Sequence, residues 1–535
     1  MCKTNEDRLD NLFQIMLAEL TDDELDRSKS FSIQRQRSRM RKRAEYIKPE
    51  LEQQCLNDFV LLNQRVAETR IELPDDIVAN ASYYITVIFE RFNSKLSDLN
   101  IQVPLDVSYL LDQWRFGPGA SNGVTGTHTA EKISQRMTCT HSSIPLVTTL
   151  RRSNYYFSAF DAAESDQDDL YEGSKLTTVP KNEDTVRVIA IEPSGNMALQ
   201  LAAGQYITDV LSSIGLDIST QQEKNKILAK LASIDNSLAT IDLKSASDMF
   251  TPELIRLLLP DQWFKLLMQI RSPKTLINGV EHELNMISTM GNGFTFPLMT
   301  LCLTSLIYAL RCRHKGPNLF IDWTQTAVYG DDVIIKSSEY LEYTTLLKQA
   351  GLIVNYDKSY SDGPFRESCG GDYYEGYNVT PFYVRNLSSD PEINVAINQV
   401  LEWSERNSMF LPKTLYYLGS LLHKVFFVPE WSNPDQGILT SQVENRYKFY
   451  EPERIHKKLK NEFFLMPLAI GGYVFSRGSD ILYTPRRFKS RYVVRKGRLP
   501  KGFLSGWDPT KRTLSASSTI DFQITLIFRE FTPLN

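Results

Sequence analysis

Paired cysteines are missing from this 535-residue chain. Its six, at positions 2, 55, 139, 302, 312 and 369, include no C-x-x-C and no paired spacing. That excludes a zinc module and a secreted disulfide framework, and fits a reducing compartment. Net charge is nearly absent too: 60 Lys and Arg against 64 Asp and Glu leave −4. A protein that coats itself in nucleic acid by bulk charge is thereby disfavoured, and any polyanion site has to come from local clustering. No long apolar run appears. The longest, Pro297 to Leu310, is broken by Thr300 and Thr304 and stops at Arg311, short of the roughly 20 residues that a bilayer crossing needs. The opening Met1-Cys2-Lys3-Thr4-Asn5-Glu6-Asp7 is polar and acidic rather than a signal peptide. No repeat of about 20–50 residues is visible, which disfavours a solenoid or propeller. What is present is ordinary globular material: 42% hydrophobic residues and 26 glycines, in a length worth roughly three to four domains. A wholly disordered, collagenous or membrane-embedded chain is excluded, and a cytosolic protein is expected.

The first 50 residues are charged. Asp22, Asp23, Glu24 and Asp26 precede Arg35, Arg37, Arg39, Arg41, Lys42 and Arg43. This reads either as a solvated helix or arm, or as a surface for RNA phosphates or a partner. Helical spacing of Ile77, Val78, Tyr83, Tyr84, Val87, Ile88 and Phe89 predicts helices between Leu51 and Asn100. The Gly-, Ser- and Thr-rich stretch around Arg115-Phe116-Gly117-Pro118-Gly119-Ala120 predicts a long loop region. From Leu238 the pattern sharpens. Leu238 to Leu243 reads as a buried strand carrying Asp242 at its far end. Thr251-Pro252-Glu253 reads as an N-cap with proline in the first turn, opening a helix through Leu259. A helix is expected from Phe296 to Arg311, strands at Thr326–Tyr329 and Val333–Lys336, a helix from Ser337 to Ala350 stopped by Gly351, and a strand at Leu352–Val354. That order predicts an α+β layer with helices packed on one sheet. Beyond Asn394 the chain is again helical and aromatic. It then carries a basic run, Arg486, Arg487, Lys489, Arg491, Arg495, Lys496, Arg498 and Lys501, interleaved with Phe488 and Tyr492. The run suits a phosphate track with base stacking, or a solvated strand or loop.

The chemistry centres on Tyr329-Gly330-Asp331-Asp332. A glycine-bearing turn between apolar strands holds two carboxylates at one hairpin end. Adjacent carboxylates repel unless solvent or a cation such as Mg²⁺ offsets them. An ordinary Gly-Asp hairpin turn is the plain alternative, but Asp242, at the end of another apolar strand, supplies a third acid. Three such carboxylates suit two Mg²⁺ ions roughly 3.5–4 Å apart, activating an attacking 3′-hydroxyl and stabilising pyrophosphate. The loop Ser288-Thr289-Met290-Gly291-Asn292-Gly293-Phe294-Thr295-Phe296 offers close backbone approach through its glycines, with hydroxyl and amide contacts beside it. Asp248, beyond a short turn, is a candidate for the same cleft. Lys175, Lys181 and Arg187 are candidates to neutralise a triphosphate. Each of these singly also reads as a surface charge or a flexible loop.

The segments Ala239 to Asp248, Ser288 to Phe296, Tyr329 to Asp332 and Phe365-Arg366-Glu367-Ser368-Cys369-Gly370 resemble the replicase beta subunits of the positive-strand RNA bacteriophages, the leviviruses. Val179-Pro180-Lys181-Asn182 and Ile191-Glu192-Pro193 are similar to a fingers segment of that family. The likeness runs from about Phe116 to Val384. It implies a right-hand, RNA-directed RNA polymerase with fingers, a palm of antiparallel sheet with packed helices, and a thumb. The implied division is a helical region at 1–110 within the fingers or bridging to the thumb, fingers at 111–230, palm with motifs A to E at 231–390 (255–285 partly fingers), and thumb at 391–535. Asp242, Asp331 and Asp332 would hold two Mg²⁺, with Mn²⁺ able to substitute. Asp248 and Asn292 would sense the ribose 2′-hydroxyl, and Lys181 and Arg187 would grip the triphosphate. Ser288, Thr289, Gly291, Gly293 and Thr295 would form the template and nucleotide loop. Lys358 would be the basic residue that protonates pyrophosphate. Pro297 departs from the family, which often has an acidic residue there; a proline in the first turn is sterically acceptable and leaves the metal site untouched. The resemblance also implies template RNA and ribonucleoside triphosphates as partners, with two host translation elongation factors and a small-subunit ribosomal protein. No membrane is implied, and the place of action is the cytoplasm of the infected bacterium. Two other readings stay open: a reverse transcriptase, against which Asp248 and Asn292 argue, and a non-catalytic RNA-binding scaffold, against which the three acids argue.

Overall fold

The computed structural model describes residues 4–21, 26–38, 49–98, 112–133, 135–153, 170–181, 185–316, 320–429 and 432–440, and the backbones of four strands between 463 and 530. The first helix, α1 (Asn5–Glu19), opens on a capping box in which the Thr4 hydroxyl accepts from Asp7 N–H and the Asp7 carboxylate accepts from Thr4 N–H. Its Leu9, Leu12, Phe13 and Met16 recur at helical spacing and are buried. Helix α2 (Arg27–Ser38) follows, then α3 (Pro49–Glu68) and α4 (Asp75–Asp98), where the apolar periodicity predicts helices.

Residues 114–128 form the expected loop region, ahead of the short α5 (Thr129–Ile133) and of α6 (Ile144–Ser153). Strands β1 (Gly173–Pro180) and β2 (Val186–Ile191) pair antiparallel, with Val179 opposite Arg187. Two long helices come next, α7 (Ser194–Ser213) and α8 (Ile218–Asp235), and then strand β3 (Leu238–Ile241). Helix α9 (Pro252–Leu258) starts as its sequence predicts: the Thr251 hydroxyl accepts from Leu254 N–H at 3.0 Å, with proline in the first turn. Helix α10 (Asp261–Ile270) and the hairpin β4 (Lys274–Ile277) and β5 (Val280–Glu283) follow. Strand β4 runs parallel to β1, giving a four-stranded sheet in the order β2-β1-β4-β5.

Helix α11 (Thr295–Lys315) has 21 residues. It is long and apolar enough to cross a membrane by length and composition, because the helix outlasts the apolar run at both ends. Sixteen of its 21 residues are also buried inside the protein. Tyr84 of α4 stacks on its Tyr308 at 4.3 Å, and the Tyr343 hydroxyl donates to its Leu303 carbonyl at 3.0 Å. A helix apolar on all sides is here a core helix.

Strands β6 (Ala327–Tyr329) and β7 (Asp332–Lys336) complete the central antiparallel sheet, in the order β3-β7-β6. Ile241, Val328, Val333 and Ile335 face the main core, and Leu238, Ala327 and Ile334 face Leu228, Ala229 and Ala232 of α8. With both faces covered, these strands read as unbroken apolar runs. Helix α12 (Tyr340–Gln349) ends before Gly351, whose φ is +80°. Leu352–Val354 is not a strand. Val354 makes one isolated bridge to Leu243, because the chain turns at once around the end of β3.

Strands β8 (Phe365–Ser368), β9 (Gly371–Tyr374) and β10 (Tyr377–Asn378) form a small antiparallel sheet. Helices α13 (Asp390–Asn407) and α14 (Pro412–Leu421) then build a second core with α1, centred on the fully buried Trp403. The Glu19 carboxylate caps α14, accepting from Lys413 N–H at 2.7 Å and Thr414 N–H at 2.8 Å; an anion at a helix N-terminus is favourably placed. The N-terminal helix thus packs against elements some 370–400 residues further along the chain. A parallel pair, β11 (Phe427–Pro429) and β12 (Ile438–Thr440), and a sheet of β13 (Phe463–Leu468), β14 (Gly471–Arg477), β15 (Arg491–Arg495) and β16 (Phe522–Glu530) complete the architecture, an α+β fold. Arg39, Arg41, Lys42 and Arg43, Asn182, and the side chains of the basic run from Arg486 to Lys501 lie outside the described residues.

Candidate active site

Register brings the three acids together. Ile241 pairs with Val333, so one step further Asp242 stands across from Asp332. Tyr329 pairs with Asp332, which leaves Gly330-Asp331 as a two-residue loop. Gly330 has φ +61° and Asp331 has no positive φ, the requirement of a type II′ turn. Glycine is needed here twice over, since a Cβ would lie 2.4 Å from the Phe296 ring. The Thr300 hydroxyl of α11 accepts from Gly330 N–H at 3.0 Å and fixes the turn over the helix.

All three acids are half-buried, and burial is the main cause that pushes each toward its neutral form. Asp332 rises to about 6: burial leads, Cys369 N–H opposes, and the charges of Asp331 and Asp242 add to the rise. Its Oδ1 accepts from Cys369 N–H at 3.1 Å and from the Ser368 hydroxyl at 3.2 Å. For Asp242, burial is opposed first by Asn355, whose Nδ2 donates to Oδ2 at 2.6 Å, and then by Lys358. For Asp331, the positive charges of Arg187, Lys181 and Lys358 oppose burial. The charges of Lys181 and Arg187, from the β1–β2 end, and of Lys358, from the 355–359 turn, thus all reach Asp331. Lys175 lies exposed at the other end of β1 from Lys181.

The glycine-rich loop is tied to this cluster. Asp248 Oδ1 accepts from Met290 N–H at 3.2 Å, and burial pushes the carboxyl up to about 6. Ala190 of β2 donates to the Met290 carbonyl at 2.8 Å, and Gly293 N–H donates to Gln200 Oε1 of α7 at 3.2 Å. A Cβ on Gly291 would lie 2.2 Å from the Ala190 carbonyl, so this loop fits only with glycine there. Asn292 is buried; its Oδ1 accepts from Phe294 N–H, while its Nδ2 has no partner. The buried Thr289 hydroxyl likewise has none, and Thr295 donates to the Thr289 carbonyl at 3.0 Å. Ser288 is buried at the base of the loop, and Pro297 is buried in the first turn of α11. Unpartnered buried donors are uncommon in folded proteins and mark places where something else can bond.

Hard carboxylate oxygens suit Mg²⁺, and a divalent ion would offset both their burial and their mutual repulsion. The donor set at Asp242, Asp331 and Asp332 fits such ions chemically. Among the described residues, no group of three Asp, Glu, His or Cys side chains is already arranged to hold one ion.

Several site residues carried no local signal. Asn355 holds Asp242, Ser368 and Cys369 hold Asp332, Asn225 donates to the Ser368 hydroxyl at 3.1 Å, and Gln200 holds Gly293. Only Ser368 and Cys369 stood in a segment already singled out by its likeness to the replicases.

An α+β chain with three acids at adjoining strand ends, a glycine-rich loop and cations whose charge reaches them has a candidate catalytic site. Comparison with known proteins narrows this. The profile of the family described as RNA replicase, beta-chain, matches residues 7–447, and the chain belongs to that family. It is 38% identical over 323 residues to the RNA-directed RNA polymerase subunit beta of Escherichia virus Qbeta, covering 60% of this chain and 52% of that one. It is 32% identical over 314 residues to the RNA-directed RNA polymerase beta chain of Enterobacteria phage GA, covering 57% and 58%. With the corresponding chain of Escherichia phage MS2 the identity is 34% over 262 residues, covering 48% and 47%. The matched region spans about half the length of these curated relatives. Among solved structures, the RNA-dependent RNA polymerase of a human picorbirnavirus aligns at TM-score 0.34 and 13% identity, over 71% of this chain and 88% of that one.

Proposed function

We propose that the chain is an RNA-directed RNA polymerase that adds ribonucleoside monophosphates to a 3′-hydroxyl and releases pyrophosphate. The observation that carries this reading is the β3–β7–β6 register, which puts Asp242 opposite Asp332 and beside the Gly330-Asp331 turn. On this reading the three acids hold two Mg²⁺, or Mn²⁺ in their place. When bound, the ions lower the pKa of the attacking hydroxyl and stabilise charge on the leaving group. Arg187 and Lys181 receive the triphosphate, whose negative charge they match. Lys358, whose charge reaches Asp242 and Asp331, gives a proton to pyrophosphate on this reading. The unpartnered Asn292 Nδ2, on the loop that Asp248 anchors through Met290 N–H, recognises a ribose 2′-hydroxyl on this reading, which favours RNA over DNA synthesis. Ser288, Thr289, Gly291, Gly293 and Thr295 shape the template and nucleotide loop.

In the right-hand description, the central sheet with β8–β10 is the palm, the β1–β2–β4–β5 sheet belongs to the fingers, and the C-terminal part is the thumb. Template RNA and ribonucleoside triphosphates are the proposed substrates. Host translation elongation factors and a small-subunit ribosomal protein are the proposed partners, in the cytoplasm of an infected bacterium. The test is template-dependent incorporation by the purified chain, with and without those host proteins, for wild type and Asp331→Asn. Loss of synthesis by at least a thousandfold in the variant is expected; wild-type rates would overturn the assignment. Comparing ribo- and deoxyribonucleotides on one RNA template separates it from a reverse transcriptase.

A further inference from the structure

Helix α2 is fastened to the β8–β9 hairpin by residues more than 300 positions away. Phe31 stacks on Tyr374 at 4.6 Å and lies against Phe365 at 5.2 Å. The Arg35 guanidinium sits 4.9 Å above the Phe365 ring. Its Nε donates to Asp372 Oδ2 at 2.9 Å, a second nitrogen donates to the same oxygen, and that nitrogen also reaches Glu367 Oε2 at 3.2 Å. Gln36 closes the attachment, exchanging two 3.0 Å hydrogen bonds with the backbone of Phe382. Arg35 is therefore neither a solvated arm residue nor a free contact for phosphates.

The hairpin explains why a cation is needed there. Glu367 and Asp372 are directly opposite each other across β8–β9. Like charges in that relation destabilise a strand pair, the more so with only 14% and 2% of their side chains exposed. One residue beyond Glu367 begins the turn that holds Asp332, through the Ser368 hydroxyl and Cys369 N–H. Cys369 keeps that N–H aimed at Asp332 with a φ of +51°, a conformation most side chains avoid. The Glu367 charge also reaches Asp242.

We infer that Arg35 is a positioning residue for the acidic cluster: by neutralising the Glu367–Asp372 pair it keeps the β8–β9 hairpin closed, so that the Ser368–Cys369 turn holds Asp332 in one orientation. This rests on the reading of the three acids as a metal site. Removal of the guanidinium takes away the bridge between the two facing carboxylates and raises their repulsion, even with the Arg406 charge still reaching Asp372, and the turn loosens. Neutralising both carboxylates removes the need for the cation.

The experiment uses the full chain in the state in which it synthesises RNA. Mn²⁺ binding is measured directly by electron paramagnetic resonance, alongside the Mg²⁺ requirement of synthesis and the KM for template. Arg35→Ala is expected to weaken Mn²⁺ binding and raise the Mg²⁺ requirement about tenfold, with template KM changed less than twofold. Arg35→Lys, which keeps the charge and loses the fork, is expected to cost about threefold and serves if the alanine variant does not fold. In a Glu367→Gln, Asp372→Asn background the Arg35→Ala effect is expected to fall below threefold. Unchanged Mn²⁺ binding in folded Arg35 variants, or an equal loss in both backgrounds, would overturn the inference. A wild-type chain that binds no Mn²⁺ would instead overturn the metal-site reading itself.

Discussion

Asn355 holds Asp242 at two points: its Nδ2 donates to Asp242 Oδ2 at 2.6 Å, and its backbone N–H donates to the Asp242 carbonyl at 2.8 Å. The Ser359 hydroxyl, accepting from Asp242 N–H at 3.1 Å, completes the grip. The 355–359 turn is thus wrapped around the end of β3, and it fixes the first acid before any ion or nucleotide arrives. A hydrogen bond to a charged, half-buried group contributes about 1.5–3 kcal/mol. Asn355→Ala should therefore lower the incorporation rate by about tenfold or more, and Asn355→Asp, which sets a like charge against Asp242, by more still. Single-turnover incorporation and melting temperatures of the two variants check this; an Asn355→Asp chain as active as wild type would remove Asn355 from the site.

Gly330→Ala should abolish synthesis and destabilise the chain by about 2 kcal/mol or more, because it adds strain at φ +61° to a clash with Phe296. Pairing it with Phe296→Ala removes the clash but not the strain. The double variant should melt closer to Phe296→Ala alone than Gly330→Ala does to wild type. Thermal melts of the four chains form the cycle that tests it.

Asn292→Ala removes the buried amide whose Nδ2 is unpartnered in the protein. If that donor meets a ribose hydroxyl, preference for ribo- over deoxyribonucleotides should drop by about tenfold, the worth of one hydrogen bond. The ratio of kcat/KM for the two nucleotide types on one template measures it. An unchanged ratio would show that another group reads the sugar.

Lys132 carries a pH dependence of stability. It is buried, with Nζ donating to the Gly117 carbonyl at 2.8 Å, and burial pushes its ammonium down to about 8. Below pH 8 both folded and unfolded chains are protonated here, and the folded state carries the full cost of the buried charge. Between pH 8 and about 10.5 the unfolded chain binds the extra proton, so this group's contribution to stability rises with pH. Lys132→Met lacks the cost. Its advantage over wild type should be greatest near pH 7 and shrink by about 1–3 kcal/mol by pH 10. Denaturant melts of both chains at the two pH values test the sign; a difference independent of pH would contradict it.

What was legible from residue order is local. The Thr251-Pro252 helix start, the Gly330 turn and the three apolar strands follow from rules that reach only a few residues, and each formed as read. The apolar helix α11 was legible as a helix but not as a core element, because burial depends on what surrounds it. Leu352–Val354 had strand composition, and the Asn355–Asp242 bonds turned the chain before a second ladder pair could form. Asp242 was grouped with Asp331 and Asp332 because it ends an apolar strand as they do, and the likeness to known replicases agreed; spacing alone does not fix which strands neighbour each other.

The amino-acid order by itself determined the strands of the central sheet, the helices beside them and the Gly330 turn, and that three acids end up at strand ends. The tertiary structure decided which of those ends meet and what surrounds them. It placed Arg35 over a hairpin more than 300 residues away, Cys369 N–H on Asp332 and Asn355 on Asp242. The physical reason is range: dihedral preferences and capping act within one or two turns of chain. Charge neutralisation and hydrogen bonding of buried groups are satisfied by whichever residue the fold brings near, at any distance along the sequence.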